Sequence, residues 1–241
     1  MRLGFLTIFI VSLCFWGVSQ IRTVQAEVEL PASDVPVFVE LFTSQSCSSC
    51  PPADDNLKIF LNEPNVIGVA CHVTYWDHLR WKDTRSQDFC TVRQREMNAV
   101  FARRNVYTPQ FVMNGRYQMS GGDNFNLTLN YGRALRDKIE NVGVTLIGER
   151  LHFDVPKSFL DNEKMRLVVF GYEAKPLRQL IGSGENGGDV VTYHNSVMSY
   201  DVFGMDKVAD LSLVAVEGRG YAAIVEGKRT FRVFAAGHFN P

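Results

Sequence analysis

Two cysteines separated by two serines are the residues whose types and spacing most clearly indicate chemistry. Cys47 and Cys50 follow residues 37–42, an apolar, β-branched and aromatic segment that is typical of a buried strand. Pro51 and Pro52 come next, and proline is tolerated in the first turn of a helix, where backbone N–H groups lack intrahelical partners. The spacing therefore predicts a dithiol at a strand-to-helix junction.

The position of the two sulfurs predicts their roles in thiol–disulfide exchange. Backbone N–H groups at a helix N-terminus stabilise negative charge, so Cys47 is expected to act as the attacking thiolate. Cys50, one turn further along, is expected to resolve the mixed disulfide. Asp54 and Asp55 interact favourably with the helix dipole, but their negative charges disfavour a thiolate nearby. The alternative to a catalytic dithiol is a disulfide that only staples the turn. A zinc knuckle would need a second cysteine pair of similar spacing, which the sequence lacks.

Residues 1–26 have the pattern of a secretory signal peptide. Arg2 precedes the apolar residues 3–18, and a small-residue cleavage site follows at residues 24–26. We expect a secreted or periplasmic protein, with an uncleaved membrane anchor as the alternative. Cleavage leaves four cysteines in an oxidising compartment, where disulfides persist. With 25 basic and 26 acidic residues, the charge gives no reason to expect nucleic acid as a partner, and no membrane contact is expected after signal cleavage.

The order of the predicted elements defines a fold class for the first half of the chain. After the first helix, the sequence predicts a strand at residues 65–73, a helix at 89–104, a strand and Asn-Gly turn at 107–116, a return strand at 117–120 and a helix at 127–139. This order is that of thioredoxin, in which Thr108-Pro109 falls at a cis-proline facing the dithiol. An ordinary trans proline that blunts the strand start is the alternative.

Beyond residue 140 the sequence changes to short segments in which apolar and polar residues alternate. The strand candidates are residues 144–155, 165–172, 211–216, 221–225 and 231–235. The two candidates around Gly218 predict a hairpin, and the glycine-rich residues 182–188 predict a flexible loop. The predicted fold class is therefore α/β: a thioredoxin-like domain, residues 27–140, with an appended mostly antiparallel β-domain, residues 141–241, packed on it.

Three stretches carry a resemblance to a known family. They are residues 40–54 (ELFTSQSCSSCPPAD), residues 72–77 (HVTYWD) with 81–83 (WKD), and residues 106–110 (VYTPQ). In these motifs the chain is similar to the exported thioredoxin-like family catalogued as domain of unknown function 1223. The family usually has Gly where Ser46 stands and Asp where Thr74 stands, so this chain lacks one of the family's carboxylates. The resemblance implies a thioredoxin-like fold.

Glu40 is an acidic residue on the first predicted strand, before Cys47. A carboxyl group at this end of a buried strand could take the proton from Cys50 during exchange. The candidate catalytic residues are therefore Cys47, Cys50, Thr108, Pro109 and Glu40. The alternative for Glu40 is a carboxylate paired with a nearby base or exposed at the sheet edge.

The loop after the second predicted strand combines aromatic and ionisable side chains. In an α/β sheet, ligands collect outside the carboxyl ends of the strands, where both this loop and the dithiol are expected. The candidate substrate-binding residues are His72, Tyr75, Trp76, Asp77 and Trp81, with Tyr107 beside the Thr108-Pro109 pair. Two alternatives stay open: the aromatic residues could pin a long connection to the body of the protein, and His72 could be a hydrogen-bonded structural histidine.

Cys71 and Cys90 flank this loop, and a disulfide between them would close it. A free Cys71 that behaves as a small buried hydrophobe is the alternative. The sequence disfavours a second catalytic pair, because these two cysteines lack the helix-start spacing of the dithiol.

The sequence as a whole predicts an exported thiol–disulfide oxidoreductase. Its expected partners are protein or small-molecule thiols and disulfides, and it needs no cofactor. A Cu(I) carrier with Cys47, Cys50 and His72 as ligands is a second class of function. A non-enzymatic binding module, in which the dithiol is a structural disulfide, is a third.

Overall fold

The computed structural model describes residues 34–241, which form a mixed α/β fold dominated by strands. The predicted signal peptide, residues 1–26, lies outside the described residues. The helices are α1 (Pro51–Leu61), α2 (Asp88–Val100) and α3 (Asn124–Ala134). The strands of the first half are β1 (Val37–Thr43), β2 (Val66–His72), β3 (Gln110–Met113) and β4 (Tyr117–Ser120). Those of the second half are β5 (Glu140–Asn141), β6 (Gly143–Ile147), β7 (Arg150–Asp154), β8 (Met165–Glu173), β9 (Leu177–Leu180), β10 (Val190–Tyr193), β11 (Val197–Gly204), β12 (Ser212–Val214), β13 (Arg219–Gly227) and β14 (Val233–Phe239).

The first sheet has the strand order β2-β1-β3-β4. Strands β1 and β2 are parallel, whereas β3 runs antiparallel to both β1 and β4. Because β1 and β2 are parallel, their last residues, Thr43 and His72, are paired at the same edge of the sheet. The loop that carries the dithiol (residues 44–50) and the loop with the aromatic residues (residues 73–87, the aromatic loop) therefore leave the sheet side by side.

The elements of the first half follow the predicted order, with shifts at their ends. Strand β3 begins directly after Pro109, which has no N–H to donate to a ladder. Helix α2 ends at Val100 rather than at residue 104. Helix α3 begins three residues before the predicted start, where the Asp123 side chain accepts a hydrogen bond from the Asn126 N–H, and it gives way to a 3₁₀ turn, Leu135–Asp137.

Alternation along β1 separates the two faces of this sheet. Val37, Val39 and Leu41 pack with α1 in one apolar cluster. Phe38 and Phe42 point to the other face, where they pack with residues of the second half. One core is thus shared by both halves of the chain, in which the rings of Phe38 and Phe170 stack with centroids 5.6 Å apart.

The second half is built on a five-stranded sheet of order β11-β8-β13-β14-β5. Its pairings are antiparallel except for β14 with β5. A three-stranded sheet, β12-β7-β6, and a β9-β10 hairpin complete it. Strand β5 lies at the predicted domain boundary, residue 140, and belongs to this sheet by its pairing with β14. No helix within residues 34–241 has the length and apolar character needed to cross a membrane.

The hairpin predicted around Gly218 is wrong. Strand β12 pairs with β7, while β13 lies between β8 and β14. The physical reason is burial: β13 is buried over nearly its whole length and needs a partner on both sides, whereas β12 has only three residues and lies at a sheet edge.

Candidate functional site

Cys47 and Cys50 form a disulfide at the N-terminus of α1, with their Cα atoms 5.4 Å apart. Cys50 is the N-cap residue, and Pro51 opens the helix as predicted. The Cys50 N–H donates to the Cys47 carbonyl at 3.1 Å, and the N–H groups of Ala53 and Asp54 donate to the Cys50 carbonyl. Cys47 is only 2% exposed and Cys50 is fully buried. The disulfide therefore lies directly before the helix: Cys50 holds the N-cap position that the sequence predicts for Cys47, and Cys47 lies one turn earlier.

The Thr108–Pro109 peptide bond is cis, which confirms the prediction. Pro109 packs close to the dithiol helix through Gly121, whose N–H donates to the Pro109 carbonyl at 3.0 Å. A Cβ atom on Gly121 would lie 2.5 Å from the Ala53 Cβ and 2.9 Å from the Pro109 Cβ. Only glycine allows this approach, so Pro109 and Ala53, in the first turn of α1, lie on either side of Gly121.

Asp54 is the buried acid on the helix that carries the dithiol. It lies four residues after Cys50, so both side chains are on one face of α1. The Thr43 hydroxyl donates to its carboxylate at 3.2 Å. Burial raises the pKa of Asp54 to about 7, although the charge of His72 and the hydrogen bond from Thr43 act to lower it. The sequence alone indicates for Asp54 only a role at the helix dipole; the signal for its role at the site is its i+4 spacing from Cys50 on the apolar face of α1.

His72 is a buried histidine with partners on both ring nitrogens. Its Nδ1 lies 2.8 Å from Asp83 Oδ2, and its Nε2 lies 3.3 Å from Ser196 Oγ. Burial lowers the pKa of His72, but the adjacent Asp83 carboxylate outweighs this effect and the net shift is upward. Asp83 also accepts a hydrogen bond from the Gln45 N–H at 2.8 Å, which ties this pair to the dithiol loop.

Ser196, His72 and Asp83 share the order of hydrogen bonds found in serine hydrolases. All three side chains are at most 2% exposed, so the Ser196 hydroxyl does not face a solvent-filled pocket. His72 would also have to leave its two partners to bind Cu(I) beside the dithiol. Among residues 34–241, no group of three or more His, Cys, Asp or Glu side chains is arranged to hold a metal ion.

Glu40 lies on the opposite face of β1 from α1. It is fully buried, and its Oε1 accepts a hydrogen bond from Arg93 Nε at 2.7 Å. Burial raises the pKa of Glu40, and the charge of Arg93 acts against this shift. The structure thus favours the alternative of a carboxylate paired with a nearby base, because alternation along the strand directs Glu40 away from the dithiol helix and towards α2 and the second half.

The aromatic loop is hydrogen-bonded both to Thr108, beside the cis-proline, and to Gln45, in the dithiol loop. Trp76 Nε1 donates to Thr108 Oγ1 at 2.8 Å, and Trp81 Nε1 donates to Gln45 Oε1 at 2.8 Å. Asp77 accepts hydrogen bonds from the Asp83 N–H and from the Ser86 hydroxyl. These contacts fit the alternative in which the loop is pinned to the body of the protein.

Tyr75, within this loop, and Tyr107, directly before Thr108–Pro109, are both half-buried. Tyr75 packs beside Trp76, with ring centroids 6.2 Å apart. The Tyr107 carbonyl accepts a hydrogen bond from Gln94, and the Arg103 guanidinium lies 5.7 Å from the Tyr107 ring centroid. Substrate binding by these residues and by the loop stays a prediction.

Cys71 and Cys90 form a second disulfide, with Cα atoms 5.3 Å apart. Both are fully buried in the shared core. The bond closes residues 72–89, which contain the aromatic loop. Of the two predicted alternatives, the structure therefore shows the disulfide and not a free Cys71.

The second half also contributes to the site. Asn186, which the sequence places in a flexible loop, donates from its side chain to the carbonyl oxygens of Gln45 and Cys47. Tyr193 packs edge-on against His72, with ring centroids 5.1 Å apart. Neither residue carries a recognisable local motif, so neither contact can be predicted from the sequence.

The described residues thus define a mixed α/β protein with a buried disulfide at a helix N-terminus and a second disulfide in its core. By sequence, the chain belongs to the family described as "Protein of unknown function (DUF1223)", whose model matches residues 38–225. This match confirms the family resemblance.

Two solved structures are similar to this one. A crystallised protein from Agrobacterium tumefaciens has a TM-score of 0.72 and 26% identity, over 87% of this chain and 96% of the other. HBP35 of Porphyromonas gingivalis has a TM-score of 0.51 and 14% identity, over 87% of this chain and 76% of the other, a likeness of fold alone. No curated protein matches the chain by sequence.

Proposed function

We propose that the protein is an exported, thioredoxin-like thiol–disulfide oxidoreductase. The observation that carries this proposal is the Cys47–Cys50 disulfide at the start of α1, packed near the cis Thr108–Pro109 bond. The strand order β2-β1-β3-β4 supports a thioredoxin-like fold for the described part, residues 34–140, of the predicted first domain, residues 27–140. Two disulfides support a secreted or periplasmic location, because disulfides persist in oxidising compartments.

The proposed reaction transfers two electrons between the dithiol and a substrate disulfide. In the reducing direction, the Cys47 thiolate attacks one substrate sulfur, and the other substrate sulfur leaves as a thiolate that takes up a proton. The Cys50 thiolate then attacks Cys47 Sγ, which forms the Cys47–Cys50 disulfide and releases the second substrate thiol. The substrates are protein or small-molecule disulfides, and the backbone at Thr108–Pro109 holds the substrate strand. The reduction potential decides the direction.

Asp54 is the proposed proton acceptor for Cys50. Its position one turn after Cys50 and its pKa of about 7 support this role, because such a group can both take and return a proton near neutral pH. In this proposal Asp54 takes the role first predicted for Glu40, whose carboxylate is paired with Arg93 on the other face of the sheet.

The test of the function is insulin reduction by the reduced wild-type protein, together with the equilibrium of its dithiol in glutathione buffers. We expect insulin disulfides to be cleaved and the Cys47–Cys50 pair to exchange with glutathione. The matched control carries Cys71→Ala and Cys90→Ala, which removes the other pair and should keep the activity. A wild-type protein that cleaves no insulin at any glutathione ratio contradicts the proposal, and a dithiol potential below about −300 mV indicates a structural disulfide.

Asp54→Asn is expected to stabilise the oxidised protein at pH 8 and to slow exchange. Since the pKa of Asp54 is raised to about 7, the folded protein holds this proton more tightly than the unfolded chain, and stability falls as pH rises from about 4 to about 7. Removing this titration should raise the free energy of unfolding at pH 8 by up to about 4 kcal/mol, with little difference at pH 4. Urea denaturation of wild type and Asp54→Asn at both pH values measures this difference in the free energy of unfolding.

Loss of the proton acceptor should also slow insulin reduction by Asp54→Asn by about tenfold to a hundredfold. Asp55→Asn is the matched control, because Asp55 is the exposed neighbour on the same helix and should change neither quantity. Equal stability of wild type and Asp54→Asn at pH 8 would show that Asp54 ionises in the fold without cost.

A further inference from the structure

One short loop of the second half reaches the dithiol. Residues 182–189 connect β9 to β10, and the base of the loop is closed by hydrogen bonds from the Ile181 N–H to the Asp189 carbonyl and from the Gly188 N–H to the Ile181 carbonyl. Every residue of the loop is exposed or half-buried except Asn186, which is 4% exposed. The loop therefore directs a single polar side chain into the protein.

The Asn186 side chain binds the turn that carries the attacking sulfur. Its amide N–H groups donate to the Gln45 carbonyl at 2.9 Å and to the Cys47 carbonyl at 3.0 Å. The Cys47 carbonyl also accepts from the Cys50 N–H, so one oxygen joins the loop to the dithiol turn. The position of Cys47 is thus coupled to the position of a loop that lies 139 residues away in the chain.

Glycines allow the loop to pack tightly on the aromatic loop. A Cβ atom on Gly182 would lie 2.6 Å from the Trp81 ring, and the Ser183 hydroxyl donates to the Arg80 carbonyl at 2.9 Å. Gly184 and Gly188, on either side of Asn186, have positive φ angles of 84° and 94°. These are conformations that glycine adopts freely, so each can act as a hinge.

A cavity borders this contact. It has a volume of about 320 Å³ and is lined by Ser46, Leu79 and Arg80 on one side and by Gly184 and Glu185 on the other. Ser46, which lines the cavity, directly precedes Cys47 in the chain, yet Cys47 itself is only 2% exposed. A substrate disulfide must touch the Cys47 sulfur, and Cys47 has almost no exposed surface for that contact while the loop holds this position.

We propose that residues 182–189 form a gate over the dithiol and that Asn186 is its latch. In the closed state, the Asn186 amide holds the dithiol turn and Cys47 stays inaccessible. When the latch releases, the loop swings on its glycines, the cavity extends to Cys47, and a disulfide substrate enters. This inference rests on the proposed function for its substrate, and it makes Asn186 a positioning residue supplied by the second half.

The test measures how fast Cys47 reacts with iodoacetamide in the reduced protein, with the modified cysteine identified by peptide mass. Asn186→Ala removes both hydrogen bonds and should speed Cys47 alkylation about tenfold. Asn186→Asp keeps the size but directs a carboxylate at two carbonyl oxygens, so it should also speed the reaction. Rates are taken over a range of pH, which separates a change in access from a change in thiol acidity.

The matched control is Asn195→Gly. Asn195 also donates its amide from the second half to a first-half carbonyl, that of Gly68 at 2.8 Å, but on the β2 side and not at the dithiol turn. Its φ of 49° makes glycine the replacement that the backbone accepts. This variant should alkylate at the wild-type rate.

Two outcomes overturn the gate: an unchanged alkylation rate in both Asn186 variants, or an equal acceleration in Asn195→Gly, which would indicate a general loosening. Alkylation does not depend on disulfide exchange. A faster Asn186→Ala alkylation rate in a protein that reduces no insulin therefore supports the gate and contradicts only the proposed function. A protein that reduces insulin but whose Asn186 variants alkylate at the wild-type rate supports the proposed function and contradicts the gate.

Discussion

Cys47→Ser is expected to abolish disulfide exchange, whereas Cys50→Ser is expected to trap a mixed disulfide with the substrate. A serine hydroxyl does not form a disulfide, so the first variant cannot make the first bond. The second variant keeps the attacking sulfur and lacks the resolving one. The assignment rests on position: Cys50 is fully buried at the N-cap with Asp54 one turn after it, while Cys47 precedes the exposed Ser48.

Insulin turbidity measures the loss of activity, and mass spectrometry under non-reducing conditions detects the mixed disulfide. Cys71→Ser with Cys90→Ser controls for the loss of a disulfide as such, because it leaves the dithiol intact. We expect one substrate chain bound to each Cys50→Ser molecule through Cys47, released by dithiothreitol. Trapping by Cys47→Ser, with turnover by Cys50→Ser, would reverse the two roles.

The first half of the fold could be predicted because its signals are local. The dithiol, the prolines after it and the Asn-Gly turn each fix a short stretch of backbone, and the order of elements then indicates the cis bond at Thr108–Pro109. The role of Glu40 is harder to predict, because it depends on the face of the sheet as well as on the position in the strand. Val39 and Leu41 mark the helix side of β1, and alternation places Glu40 on the opposite face.

The contribution of the second half could not be read from sequence because it depends on pairing between distant segments. Nothing local in residues 182–188 distinguishes a loose glycine-rich loop from one that inserts Asn186 beside Cys47. In the same way, β12 and β13 are adjacent in sequence, but β12 pairs with β7 and β13 pairs with β8. Burial, and not proximity in sequence, decides which strand lies in the centre of a sheet.

Arg93→Met is expected to cost about 3–5 kcal/mol of unfolding free energy, because it leaves the buried Glu40 carboxylate without its cation. Arg93 is fully enclosed between the two halves. It donates to Glu40 at 2.7 Å and to both oxygens of Glu226 at 3.0 and 2.9 Å, and its guanidinium lies 5.1 Å from the Phe170 ring centroid. Glu226 keeps a second partner in Arg166, whereas Glu40 keeps none among the described residues.

The cost of Arg93→Met should depend on pH in a defined direction. Burial already raises the pKa of Glu40, and loss of Arg93 raises it further, so the variant folds best when Glu40 is protonated and loses stability as pH rises. Urea denaturation should therefore show a larger deficit at pH 8 than at pH 5.

A second replacement, Glu40→Leu, tests the cause. Arg93→Met combined with Glu40→Leu removes the uncompensated charge and should recover most of the loss, since a buried ion pair can be exchanged for apolar groups at little cost. Arg116→Met is the matched control: its ion pair with Asp137 is equally short, 2.7 Å, but the Arg116 side chain is 47% exposed. It should cost less than about 1 kcal/mol. A deficit in Arg93→Met that neither falls at pH 5 nor recovers with Glu40→Leu would assign the role of Arg93 to packing against the aromatic rings rather than to charge.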